Sequence, residues 1–129
     1  MNDNADHYKK GGNTMSSCSG FKLIYTIVEA GRGSHIMNIA REAGAEGGTI
    51  YFGRGTSIHE HGKFLGMPIE PEKEVVMILI KDTLVDQVFE AVVEKGELEI
   101  PGHGIAFILD VFRVAGICHM INDEPGEEG

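Results

Sequence analysis

Apolar and polar residues alternate along the chain in a way that predicts four strands and two helices. Runs rich in β-branched and aromatic residues predict strands at residues 21–29, 48–52, 74–80 and 105–114. In two other segments the apolar residues recur at helical spacing, which predicts helices over 35–43 and from 82 or 83 to 95.

Polar and glycine residues give the expected ends of the two helices. Ser34 is expected to cap the first helix, and Asp82 or Thr83 the second, because short oxygen-bearing side chains can accept from free backbone N–H groups. Gly44 and Gly96 are expected to end them.

The order of these elements is strand–helix–strand, a long loop, and strand–helix–strand again. The two halves resemble each other, which is the plan of the split βαβ or ferredoxin-like motif. We therefore predict an α+β domain with a ferredoxin-like βαββαβ fold. Its four-stranded antiparallel sheet would carry two helices on one face, and another copy of the chain is the simplest cover for the open face.

Polar segments flank this domain. Residues 1–20 are expected to form a disordered N-terminal tail, residues 21–118 the domain, and residues 119–129 an acidic C-terminal tail. Met15 directly precedes the domain, so a translation start at Met15 instead of Met1 stays open.

The size and charge of the chain argue against several classes of function. The chain has 129 residues, the size of one domain, and a formal net charge of −9. This acidity argues against nonspecific binding to nucleic acid or to an anionic membrane surface. No apolar run reaches the ~18 residues of a membrane span, and no secretory signal is visible, so a cytoplasmic protein is expected.

Two cysteines, Cys18 and Cys118, lie near opposite ends of the chain. Thiols so placed do not suggest a disulfide framework, and no Cys-x-x-Cys pair is present. Cys118 is expected to be a small buried residue and not a nucleophile.

Enzyme signatures are missing from the sequence. There is no Ser/His/Asp order of the hydrolase kinds, no P-loop, and no Gly-x-Gly-x-x-Gly opening a helix after a strand. The carboxylates are spread over surfaces and tails. We therefore expect a binding protein and not an enzyme.

Short motifs that occur in a fixed order narrow the family. Together they resemble segments of the PII nitrogen-regulatory proteins, and the resemblance extends over about residues 21–117. The motifs are Gly48-Thr49-Ile50, Phe52-Gly53-Arg54, Pro71-Glu72-Lys73-Glu74-Val75-Val76, Glu90-Ala91-Val92-Val93-Glu94 and Pro101-Gly102-His103-Gly104-Ile105-Ala106-Phe107.

The resemblance implies a homotrimeric signalling protein with effector sites in the clefts between subunits. Two loops would act there, a T-loop at about residues 54–73 and a B-loop at about 97–104. Glycines suit such a site because backbone N–H groups can then approach an anion closely. The implied effector residues are Thr49, Gly53, Arg54, Gly55, Gly102, His103 and Gly104.

The T-loop of the family docks onto a partner protein, of which a membrane transporter is one candidate. The context implied is regulation by nitrogen or small-metabolite status. The loop residues expected to meet the partner are His59, Glu60, His61, Lys63, Phe64 and Leu65. Since the apolar residues among them fit docking or packing back on the domain, both interpretations stay open.

The sequence departs from the family at three basic positions, which are taken here by Ile105, Gly116 and Cys118. Each missing charge-assisted contact is worth roughly 1.5–3 kcal/mol. No firm cofactor is therefore expected, and among the possible effectors ADP, AMP or another small anion fits better than ATP.

A metal-binding trimer of the copper-tolerance kind is the alternative. His59 and His61 are two residues apart, so in an extended segment both imidazoles point the same way. Two ligands do not make a site, and a polar exposed loop is the commoner explanation of such a pair. Gly53-Arg54-Gly55-Thr56 fits an anion cradle or an ordinary turn after a strand, and His103 fits a ligand contact or an exposed turn residue. A purely structural assembly module is the third option.

Overall fold

The computed structural model describes residues 17–56, 63–65, 67–68 and 70–118. The chain divides into two compact units. One is residues 22–109, and the other combines the end segments, described at 17–21 and 110–118.

Residues 22–109 hold most of a four-stranded sheet and both helices. The elements in chain order are β1 (Phe21–Glu29), α1 (Gly33–Glu42), β2 (Thr49–Arg54), β3 (Lys63–Phe64), β4 (Met67–Pro68), β5 (Glu72–Lys81), α2 (Val85–Lys95) and β6 (Ile105–Val111). The sheet order is β2-β5-β1-β6, and β2 pairs with β5 in antiparallel register from Thr49↔Met77 to Arg54↔Glu72. This is the ferredoxin-like fold that the alternation of elements predicts.

The core lies between the sheet and the two helices. Ile24 and Val28 of β1 and Val76 and Ile78 of β5 are fully or almost fully buried. Alternate residues of a strand point to one face, so these side chains all face the helices. They meet Ile36 and Ala40 of α1 and Val88 and Val92 of α2 in one cluster. Full burial of each such branched side chain contributes roughly 1.5–3 kcal/mol.

The other face of the sheet is apolar and open. Along β6, Ile105, Phe107 and Leu109 are 56%, 37% and 44% exposed, and they alternate with Ile108, which packs against the core. Tyr25 stacks on Phe107 with ring centroids 5.3 Å apart. The hydroxyl of Tyr25 also forms a hydrogen bond with that of Tyr51, so aromatic side chains extend across the open face from β6 to β2.

Neither helix begins with the cap that the sequence suggests. Arg32 is the N-cap of α1 and Leu84 that of α2, and no described side chain caps either helix in the manner expected of Ser34, Asp82 or Thr83.

A strand residue supplies the missing acceptor at α1. The backbone N–H of Gly33 donates to Glu74 Oε1 at 2.6 Å, so a carboxylate of β5 takes the place expected for Ser34. The free N–H groups and the positive end of the helix dipole both favour an anion there.

The expected ends of the helices are confirmed at both glycines. Gly44 follows the C-cap Ala43 and has a φ of 129°, which favours glycine. Gly96 is the C-cap of α2, but its φ of −82° is ordinary. Close packing selects glycine there, since a Cβ would lie 2.4 Å from the Val92 carbonyl oxygen.

The long loop holds a short hairpin that the sequence pattern does not predict. Lys63 pairs with Pro68 and Phe64 with Met67. Leu65 lies at its turn with a φ of 54° and is 86% exposed.

In the unit formed by the two ends of the chain, Cys18 and Val114 form an antiparallel bridge with hydrogen bonds of 2.8 and 2.9 Å. Cys18 and Cys118 are joined in a disulfide with their Cα atoms 5.7 Å apart. The expectation of two unpaired cysteines is therefore wrong. Their sequence separation of 100 residues hides the pairing, which depends on the folded ends lying side by side.

None of the helices formed by the described residues is long and apolar enough to cross a membrane.

Candidate functional site

A cleft of about 560 Å³ lies between two glycine-rich segments of residues 22–109. One wall is the end of β2 with the residues after it, 53–56. The opposite wall is the segment 98–102 with Gly104 and Ile105. Residues 27–29 of β1 and Lys73 and Val75 of β5 complete the lining.

Glycine backbone geometry shapes the wall before β6. Gly102 and Gly104 have φ values of 90° and 135°, which L side chains rarely adopt. A Cβ on Gly104 would also lie 2.6 Å from the carbonyl oxygen of Ile27. The chain can therefore pass this close to β1 only with glycine at position 104.

The opposite wall is continuous with the base of the long loop. Gly53 pairs with Lys73 in the β2–β5 register, and the N–H of Gly55 donates to the Pro71 carbonyl oxygen at 3.2 Å. This hydrogen bond closes the loop directly beside the cleft.

The lining contains charged side chains of both signs. Arg54 and Lys73 are the cations, and Glu29 and Glu99 are the acids. Ile105, which stands where the PII resemblance expects a lysine, lies in the lining and leaves it apolar at that point. The remaining side chains are mostly branched aliphatics: Ile27, Val28, Val75, Leu98 and Ile100.

The structure brings together five of the seven residues that the resemblance implied for effector binding. The five that line the cleft are Gly53, Arg54, Gly55, Gly102 and Gly104. Thr49 lies at the other end of β2, opposite Met77, and is outside the lining. The side chain of His103 is also outside it, with Nδ1 4.0 Å from Glu97 Oε1. The role of all seven in effector binding stays a prediction.

Sequence reasoning missed three charged cleft residues: Glu29, Lys73 and Glu99. The place of Lys73 in the cleft could have been predicted from the sequence. An antiparallel pairing of the two strands that flank the long loop places Lys73 opposite Gly53. No sequence pattern points to Glu29 or Glu99 as cleft residues, since only the folded chain places the end of β1 beside residues 98–102.

The loop residues expected to meet a partner are described only in part. Lys63 and Phe64 form β3, and Leu65 is exposed at the hairpin turn. His59, Glu60 and His61 lie outside the described residues, and with them the metal alternative. Within the described ranges, no group of three or more His, Cys, Asp or Glu side chains is arranged to hold a metal ion.

Comparison with known proteins shows which fold the chain shares. No protein-family model and no curated protein sequence matches the chain. Among solved structures, a PII protein of Arabidopsis thaliana bound to citrate is similar, with a TM-score of 0.56 and 24% identity over 72% of this chain and 78% of that one. The chain therefore has a ferredoxin-like fold that is similar to that of a PII protein.

Proposed function

We propose that the chain is a PII-like signal-transduction protein that responds to nitrogen or small-metabolite status. It binds a small anionic effector, an adenine nucleotide such as ADP, AMP or ATP or another small anion, in the cleft. It regulates a partner protein through the T-loop at about residues 54–73 and carries out no catalysis itself.

One observation carries the proposal: the cleft joins residues 53–56 to the turn that ends at Gly104. The resemblance had assigned these separate segments to the T-loop base and the B-loop. Here they form the two walls of one cavity. A concave site with an apolar lining and a few polar groups is the usual form of a small-molecule site.

The chemistry of the walls suits an anion. Arg54 and Lys73 supply positive charge beside Gly53 and Gly55. A guanidinium offers a planar fork of donors that matches carboxylate and phosphate groups. The citrate bound by the Arabidopsis PII protein is such an anion, which supports a small anionic effector here.

The connection between cleft and loop supports regulation through the T-loop. Because the Gly55–Pro71 hydrogen bond closes the loop next to the cleft wall, a ligand held by Arg54 favours one arrangement of the loop base over others. The exposed Leu65 offers the partner an apolar contact. A membrane transporter is one candidate for that partner.

The open face of the sheet supports a homotrimer. Its row of aromatic and aliphatic side chains would be buried between subunits. The proposed domain is residues 21–118, flanked by tails at 1–20 and 119–129.

Ligand-induced stabilisation tests the effector site. Thermal melting is measured for the full chain with ATP, ADP, AMP and citrate, on wild type and on Arg54→Ala. Arg41→Ala is the matched control, because Arg41 lies in the last turn of α1 and outside the cleft lining. A ligand at 100 times its Kd should stabilise the folded state by about 2.7 kcal/mol.

We expect at least one of these anions to raise the melting temperature of wild type and Arg41→Ala. Arg54→Ala should lose most of that rise. If no anion stabilises the wild type, or if both arginine variants respond equally, the proposed effector site is wrong.

A further inference from the structure

The disulfide between Cys18 and Cys118 joins the two end segments of the chain, described at 17–21 and 110–118. We propose that this bond is a reversible redox switch. In the oxidised form it fastens residues 17–19 beside Val114, and a dithiol reductant releases them while residues 22–109 stay folded. This role is independent of the proposed effector site.

Little besides the disulfide is available to hold residues 17–20 in place. Their sequence, Ser-Cys-Ser-Gly, contains no branched aliphatic or aromatic side chain. Ser17 is 8% exposed, but a small polar side chain gains little from burial. Within the described ranges, the backbone pairing of this segment is one isolated bridge between Cys18 and Val114. No neighbouring pair extends that bridge into a ladder, so the covalent bond decides whether the pairing persists.

A glycine with a positive φ lies on each side of the bond. Gly20 has a φ of 91° and lies between Cys18 and β1, and Gly116 has a φ of 104° and lies between Val114 and Cys118. Glycine changes its backbone dihedrals at little steric cost. Both segments can therefore change direction at these positions once the bond is open.

The hydrophobic core lies outside the segments that the bond joins. The core cluster runs from Ile24 to Ile108, and all of its members belong to residues 22–109. Neither described end segment contributes a side chain to it. Opening the bond therefore removes a local constraint and leaves the buried contacts between sheet and helices in place, which a switch requires.

The bond is within reach of a reductant, because both cysteines are only half-buried. A thiolate of the dithiol attacks one sulfur, forms a mixed disulfide with it and releases the other cysteine as a thiolate. The second thiol of the reductant then breaks the mixed disulfide, and the reductant leaves with an internal disulfide. Two electrons pass to the protein. Glutathione disulfide reverses the reaction through two successive exchanges that release two molecules of glutathione.

NMR of the full chain tests the switch under native conditions. The chain is first oxidised with glutathione disulfide and then treated with dithiothreitol, and alkylation counts the free thiols at each stage. After reduction, we expect the amides of Cys18 and Val114 to exchange with solvent at least about tenfold faster and to move toward random-coil chemical shifts. The amides of Val76 and Ile78 should keep their chemical shifts and stay protected, because they belong to the core.

The Cys18→Ser/Cys118→Ser variant is the control for effects of the reductant itself. It should match the reduced wild type with and without dithiothreitol. A second addition of glutathione disulfide, after removal of the reductant, should restore the oxidised spectrum of the wild type and leave the variant unchanged.

Four results would each overturn the switch. The bond could open only when urea is added, which would mean that a reductant cannot reach it in the folded chain. Reduction could leave the Cys18 and Val114 amides unchanged, so that the bond would control no conformation. Reduction could remove the protection of Val76 and Ile78, which would make the bond a requirement of the fold. Glutathione disulfide could fail to close the bond, so that the change would not be reversible.

Discussion

At the scale of single residues, the cleft glycines are of two physical kinds. Gly102 and Gly104 are required by the backbone, since both have positive φ and a Cβ on Gly104 would collide with β1. A Cβ on Gly53 or Gly55 would meet no described atom within 4 Å. The fold therefore does not demand glycine at positions 53 and 55, and the proposed function explains it there by the close approach of a ligand.

Alanine substitutions test this difference. Gly104→Ala should lower the free energy of unfolding by about 1–3 kcal/mol, because it combines a strained φ with a steric overlap. Gly53→Ala and Gly55→Ala should stay within about 0.5 kcal/mol of wild type and still weaken binding of whichever anion stabilises the wild type. Urea denaturation and calorimetry measure the two effects. Equal destabilisation by all three variants would contradict the distinction.

The tyrosine pair on the open face gives a prediction about pH. The hydrogen bond between the Tyr51 and Tyr25 hydroxyls raises the pKa of Tyr51 above its usual value of 10.0, and desolvation and the charge of Tyr25 act in the same direction. A raised pKa favours the neutral phenol in the folded state. Its contribution to stability is thus present below pH 10 and is lost as the pH rises through the higher folded value.

Removing the partner hydroxyl should reverse this shift. In Tyr25→Phe, we expect the pKa of Tyr51 to fall toward its usual value. Absorbance of the phenolate during an alkaline titration measures it, with Tyr8→Phe as a control outside the described residues. A Tyr51 titration that is the same in Tyr25→Phe and wild type would show that the hydrogen bond does not control the proton.

At the scale of elements, the sequence pattern predicts the strands and helices, because their buried residues recur at a regular period. It misses the features that depend on a single contact. The strands follow from their β-branched runs, and both helix ends at Gly44 and Gly96 are confirmed. The predicted side-chain caps of both helices were wrong. At α1 the acceptor for the Gly33 N–H comes from Glu74, 41 residues away. Similarly, the hairpin at β3 and β4 has only two residues in each strand, too few for a period to be visible.

The residues of the candidate site also fall into those that the sequence predicts and those that it does not. Gly53, Arg54, Gly55, Gly102 and Gly104 belong to contiguous motifs that a resemblance can carry over. Glu29 and Glu99 reach the cleft only through strand order and through the path of the chain before β6. No local pattern encodes that path, so the two carboxylates of the cleft emerge only from the structure.

The contact between Glu74 and α1 gives a prediction at this scale. Glu74→Gln removes the negative charge at the helix N-terminus, and Glu74→Ala removes the acceptor as well. We expect losses in the free energy of unfolding of about 0.5–1 kcal/mol and about 1–2 kcal/mol, respectively. Urea denaturation measures both. The exposed Glu90→Gln on α2 is the control, and a Glu74→Ala variant as stable as this control would contradict the capping role.

At the scale of the whole molecule, the disulfide links segments that are 100 residues apart. A cross-link of this span removes much of the conformational entropy of the unfolded chain. Reducing it should therefore lower the free energy of unfolding by about 2–4 kcal/mol. In a reducing cytoplasm the pair is expected as thiols, so the stability of the protein depends on its redox surroundings.

Urea denaturation with and without a phosphine reductant measures this dependence. Alkylation of free thiols under native conditions reports which form is present. Cys18→Ser/Cys118→Ser should unfold at the same urea concentration with or without reductant. Equal midpoints for oxidised and reduced wild type would contradict a stabilising cross-link.

Assembly is the last property that belongs to the whole molecule. A sheet face with Tyr51, Phe107 and Leu109 all more than a third exposed is an unusual surface for a monomer. Burying it between subunits removes apolar area from water at roughly 25 cal/mol per Å². For the homotrimer of the proposed function, light scattering of the wild type should give three times the 14.0 kDa of the chain.

The test replaces an apolar side chain on that face by a charged one. Phe107→Glu would bury a carboxylate in each subunit contact, so we expect it to shift the mass toward that of the single chain. Leu65→Glu makes a comparable apolar-to-acidic change at the exposed hairpin turn and should leave the trimer intact. A monomeric wild type, or a trimer that survives Phe107→Glu, would mean that another partner covers the sheet. Loss of the trimer in Phe107→Glu alone would show that the apolar sheet face holds the subunits together and that the hairpin turn takes no part in it.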